Sequence, residues 1–159
     1  MVALLIVAFP VSNFAKKGKG DSTRLAKLNT QIEIQQQAND YSALALSYIQ
    51  KSKLEERTYR DTSETFKSIR KAVVFAKKTN DANLEFYCLF TLRKVLCQAS
   101  IAYQKSTSLD TVLQSMLQVD VIKDSLKFKV HQLWGSIFIK HNYHMLALNE
   151  FLAAQDIAY

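Results

Sequence analysis

Any chemistry in this chain would have to come from three histidines, two cysteines and a few clustered charges. His141 and His144 stand three residues apart, a spacing that can turn two imidazoles toward one metal ion. Their neighbours Lys140, Asn142 and Tyr143 bring no further ligand, so the pair reads as solvated histidines flanking a turn. His131 falls within an apolar stretch and reads as a residue at the edge of the core rather than a base. Glu55 and Glu56 lie beside Arg57 and Arg60, which describes a mixed-sign exposed face rather than an acid–base pair. Gly18, Gly20 and Gly135 do not form a phosphate-cradling loop. Local sequence offers no Ser, His and Asp set. Cys88 and Cys97 are nine residues apart in one predicted helix. That spacing sets them on opposite sides, roughly 13 Å apart along the axis, where they cannot pair with each other. Both read as small buried apolar residues. The expectation is no catalytic residue, no metal, no cofactor and a non-catalytic role.

The densest positive cluster is Lys67, Arg70, Lys71, Lys77 and Lys78. Arg70 shares a helix face with Lys77, and Lys71 with Lys78, because residues seven apart on a helix point the same way. A solvated basic face explains the cluster; a patch for an acidic peptide or carboxylate is the sharper alternative. The net charge of +7 includes Lys16, Lys17 and Lys19 near the N-terminus, and the rest of the chain is only mildly basic. A dedicated nucleic-acid binder concentrates its basic residues on one face and binds with steep salt dependence, so no nucleic acid is expected as a partner.

These groups must be positioned by helices. Three glycines and one proline cannot supply the frequent turns that an all-β chain of 159 residues needs. Apolar residues make up 48%, enough for a real core in one domain.

The N-terminal run Val2–Phe9 (VALLIVAF) is too short to cross a bilayer, which takes about 20 residues. With Pro10 behind it and Ala15 as a cleavage position, it resembles the apolar part of an export signal over residues 1–15. No basic residue precedes the run, and a short buried helix or a truncated membrane segment is the alternative. An export signal would make the protein exported or periplasmic; otherwise it is cytoplasmic. Residues 16–22 read as a linker, because Gly18, Gly20 and the lysines offer nothing to pack.

From Thr23 the chain reads as consecutive helices in one domain over 23–159. Leu25, Leu28, Ile32 and Ile34 give the first stripe, and Asn39-Asp40 breaks it and offers an N-cap. Ala43, Leu44, Leu46, Tyr48 and Ile49 follow, with the connection inside the polar stretch Lys51–Arg60. Phe66, Ile69, Ala72, Val73 and Ala76 mark the next helix, closed by Thr79-Asn80-Asp81. Phe86, Leu89, Phe90, Leu92, Val95 and Leu96 make the following helix apolar almost all round, which suits the middle of a stack. Beyond Ile101, Ala102 and Tyr103 comes a polar break to Ser108, with Asp110 as a cap before Val112, Leu113, Met116 and Leu117. The last two helices carry Leu126, Phe128, Val130, Leu133, Trp134, Ile137 and Phe138, then Met145, Leu148, Phe151, Leu152 and Ile157.

A pattern recurs. Ala147, Phe151 and Ala154 share a face, small residues leaving room for a neighbouring backbone and Phe151 filling the crevice between them. Thr65, Ile69 and Ala72 repeat the spacing 82 residues earlier, and Ser108, Val112 and Ser115 repeat it between them. The period of about 41 residues defines units over 40–81, 82–120 and 121–159, a size typical of helical-repeat arrays.

The last unit resembles a tetratricopeptide repeat. That family runs Trp, two residues, Leu-Gly, two residues, Tyr, then eight residues to Ala, three to Phe and two to Ala. Here His131 is followed after two residues by Trp134-Gly135, after two more by Phe138, and then by Ala147, Phe151 and Ala154. His131, Trp134 and Phe138 depart from the family's Trp, Leu and Tyr, and the earlier units match by size class alone. The resemblance covers 40–159 and implies an all-α, right-handed superhelix (α-solenoid) of about three antiparallel helix pairs. The export-like start and the phrase Ala76–Asp81 (AKKTND) are also similar to repeat regions of Bacteroidetes-type sensor kinases and regulators.

The function implied is a protein–protein interaction scaffold whose groove, lined by first helices, holds a protein or peptide partner. Tyr87, Arg93, Lys94, Lys129 and Gln132 are the groove candidates. The family's carboxylate clamp does not carry over, because Gln132 and Ser136 stand where it needs Lys, Asn or Arg. The alternative is the extracytoplasmic or N-terminal input region of a sensor kinase or transcriptional regulator. The closing helix is apolar to its end and has no polar cap, so this alternative expects the chain to continue past Tyr159. Membrane association is expected only through the N-terminal signal or through that continuation.

Overall fold

The computed structural model describes residues 14–59, 62–98 and 107–158. The apolar run Val2–Phe9 and the segment Ile101–Tyr103 lie outside the described residues. Seven helices occur among those described, and no strand: α1 Phe14–Gln37, α2 Tyr41–Tyr59, α3 Thr62–Lys77, α4 Ala82–Gln98, α5 Thr107–Leu117, α6 Asp124–Lys140 and α7 His144–Ala158. The all-α expectation holds. No described helix is long and apolar enough to cross a membrane.

Three tight turns share one device. Asn39, Asn80 and Asn142 adopt positive φ (55°, 56° and 63°), the left-handed conformation that reverses the chain after a helix and that Asn tolerates best after Gly. Asp40 and Asp81 then cap the following helices. Asp40 Oδ1 accepts the Ala43 N–H (2.9 Å), and Asp81 Oδ1 accepts those of Asn83 (2.9 Å) and Leu84 (3.1 Å). Each cap satisfies donors that a helix start leaves without partners. The start of α6 is fixed differently. Asn83 of α4 accepts the Lys123 N–H (2.8 Å) and donates to the Val121 carbonyl (2.9 Å), pinning the loop before α6 to the first turn of α4.

Two cores meet at α4. On one side Leu28 and Ile32 of α1, Leu44 and Ile49 of α2, and Ile69 and Ala72 of α3 pack with Leu84, Cys88 and Val95. On the other side Phe86 and Leu89 pack with Leu113 and Leu117 of α5, Ile122, and Val130, Trp134 and Ile137 of α6. The expectation of a helix buried on two sides is met in α4. Besides packing on its neighbours in the chain, α4 packs on α2 and on α6.

The α6–α7 pair is close, as the small residues demand. Ala147 and Ala154 are buried, and the Phe151 ring lies so near Gly135 that a Cβ there would fall 2.7 Å from it.

Several local expectations are corrected. Residues 16–22 belong to α1 and not to a linker: each helix-interior glycine costs only about 1 kcal/mol, which does not by itself end a helix. Ile34 is 62% exposed, because it sits two residues past Ile32 and points away from the Leu25–Leu28–Ile32 face. Leu46 is exposed for the same reason. The polar stretch after Lys51 is helical to Tyr59, since Ser52, Leu54 and Glu55 continue the inward face of α2. In α5 the inward residues are Leu113 and Leu117, with Leu109 and Met116 beside them, whereas Ser108, Val112 and Ser115 are exposed. The inward register of α5 thus starts one residue later than the repeat spacing implied. Met145, Leu148 and Leu152, counted among the apolar residues of the last helix, stand on the outside of α7.

Candidate functional site

The groove candidates divide between two environments. Lys94 is exposed on α4, and Lys129 and Gln132 are exposed on α6. Tyr87 lies seven residues before Lys94 on the same side of α4. It is half-buried, and its hydroxyl accepts a hydrogen bond from Lys53 Nζ of α2 (3.3 Å), whose ammonium stands 5.9 Å from the ring centre. This contact ties the outward surfaces of α2 and α4 together. Arg93 is elsewhere. It is 4% exposed and faces α5.

Arg93 anchors a polar cluster where α4, α5, α6 and α7 converge. Its Nε donates to Asp110 Oδ1 (2.6 Å) and its Nη1 to Cys97 Sγ (2.8 Å). The same Asp110 oxygen accepts the Trp134 indole N–H (3.0 Å). The His131 ring meets Trp134 edge-on at 5.9 Å, and His131 Nδ1–H donates to Glu150 Oε2 of α7 (2.7 Å). A cavity of about 250 Å³ opens beside the cluster, between Arg93 and Asp110 on one hand and Trp134, Phe138 and Glu150 on the other. Asp110 matches the charge of Arg93, which lets a guanidinium be withdrawn from water without an isolated charge. The cluster is a strut across four helices.

The sequence did not pair these residues, because they come from positions 17 to 24 apart that only the fold unites. Asp110 was expected as a cap; it lies in the first turn of α5, where it reaches Arg93 and Trp134. His131 does sit at the edge of the core.

Several of the remaining candidates are held by local partners. Burial pushes the Cys88 thiol up to about 12, with Glu85 adding to it. Burial also raises the Cys97 thiol, against the pull of Arg93. Such thiols stay protonated and are poor nucleophiles near neutrality. Among the basic cluster, Lys67 pairs with Glu64 (2.6 Å) and Lys77 with Glu85 (4.0 Å). Lys71 lies over Tyr48, and Lys78 over Tyr41 and Phe75. His141 and His144 are exposed on either side of the α6–α7 turn. No group of three metal-ligating side chains occurs among the described residues.

Comparison of the chain with protein-family models, with curated proteins and with solved structures finds no match.

Proposed function

We propose that the protein is a non-catalytic interaction scaffold of tetratricopeptide-like helix pairs laid side by side, with the outward surfaces of α2, α4 and α6 forming a groove for a protein or peptide partner. The observation that carries this reading is the position of α4. It packs on both α2 and α6 and contributes to a core on each side. Three first helices in sequence make a continuous surface of the kind repeat arrays use for binding. Tyr87 and Lys94 on α4, and Lys129 and Gln132 on α6, supply aromatic and polar contacts there. Arg93 contributes indirectly, by holding α4 against α5.

The test is a triple variant, Lys94→Ala, Lys129→Ala and Gln132→Ala. These side chains are exposed, so the melting temperature should stay within a few degrees of the parent. Partners cross-linked to the parent in extracts of its source cells should be lost from the variant. Unchanged capture, or a large fall in melting temperature, would place the binding surface elsewhere.

A further inference from the structure

We propose that the outer face of α7 is an interface through which two copies of this chain pair, antiparallel, about a two-fold axis. Met145, Leu148 and Leu152 lie at the i, i+3, i+7 spacing of a single helical stripe, and they are 71%, 50% and 48% exposed. Phe151 and Leu146 flank the stripe and are exposed too. Together these side chains offer several hundred square ångströms, in the range of about 300–600 Å² at which a surface patch tends to be a contact site.

The repeat register shows that this face is unusual. Where α3 presents Ser63, Glu64 and Arg70 to water and packs Phe66 against the first core, α7 presents Met145, Leu146, Leu152 and Leu148 to water at the positions 82 residues later. A helix apolar on both sides belongs in an interior.

The occupant follows from charge and symmetry. Within a chain of net charge +7, α7 contains no lysine or arginine. Its carboxylates are Glu150, turned toward His131, and Asp156. A second α7 therefore meets no repelling cations within the stripe. Head-to-tail stacking would instead bring α7 against α1, whose outward residues include Arg24, Lys27 and Gln31 and, among the described side chains, offer no apolar stripe. The self-complementary solution is isologous. With the axis between Leu148 and Asn149, Met145 faces Leu152 of the partner subunit. Each Asp156 then lies near the N-terminus of the opposing helix, beside the partner's His144, where both the helix dipole and the imidazole favour a carboxylate.

Sedimentation equilibrium of the full chain, from about 1 to 300 µM, tests this directly, because a contact of this size belongs to the weak end of protein interfaces. The parent should show a monomer–dimer equilibrium. Leu148→Asp and Leu152→Asp should each weaken it at least about tenfold while leaving the circular dichroism unchanged. Leu148→Cys should form a disulfide to its counterpart under mild oxidation, an independent reading should an aspartate variant misfold. A parent that stays monomeric throughout overturns the proposal. So does a dimer indifferent to both aspartates, or a monomer that either aspartate destabilises, which would mean the chain covers this face itself. The groove variant described above should dimerise normally, so the two readings fail separately.

Discussion

Gly135 and Phe151 occupy one small volume between α6 and α7. A larger side chain at 135 meets the Phe151 ring at once. Gly135→Leu is expected to cost about 1–3 kcal/mol. Most of that cost should vanish in a Phe151→Ala background, a coupling that a double-mutant cycle by chemical denaturation reads directly. This contact was legible in the sequence, because small and large residues at helical spacing encode close approach. Glu55 was not. It looked like part of a solvated charged face, yet it is buried, with Oε2 lacking a hydrogen-bond partner among the described residues. Its depth depends on α3 packing over α2, which no local pattern reveals. Burial raises its carboxyl above the ordinary 4.5, outweighing the Ser68 hydroxyl and Lys51. A raised value means that the folded chain holds this proton more readily than the unfolded one, so stability is lost as pH rises through that value. Glu55→Gln should be more stable than the parent at about pH 7 and should lose that advantage by about pH 4, as urea titrations would show.

At the scale of elements, α4 depends on both of its faces and on its cap. Phe86→Ala empties a fully buried site in the second core and should cost about 3–5 kcal/mol. Asp81→Ala removes the acceptor for two N–H groups and should cost about 1–2 kcal/mol. Thermal or urea unfolding measures both. The all-round apolar character of α4 and the Asn-Asp breaks on either side of α2–α3 are readable in the sequence, since composition and cap chemistry are local. The inward register of α5 is not. The spacing of Ser108, Val112 and Ser115 matched the repeat by coincidence while Leu113 and Leu117 turned inward. The outward face of α7 was legible only in part. Periodicity says that Met145, Leu148 and Leu152 share a stripe, but only packing decides which of two apolar sides meets α6.

At the scale of the molecule, the packing of α4 on both α2 and α6 supports the row proposed above, in which α4 stands between the other two first helices. Packed helices are separated by about 8–10 Å, so α2 and α6 in a row lie about 20 Å apart, whereas in a closed bundle they would touch. The groove proposed as the partner site exists only in the row. The most direct measurement is the distance between spin labels placed at exposed Gln50 on α2 and exposed Gln132 on α6, in a chain carrying Cys88→Ala and Cys97→Ala. Dipolar spectroscopy should give a mean separation of about 20 Å or more. Strong line broadening from labels within about 10 Å of each other would contradict the row, and with it the groove.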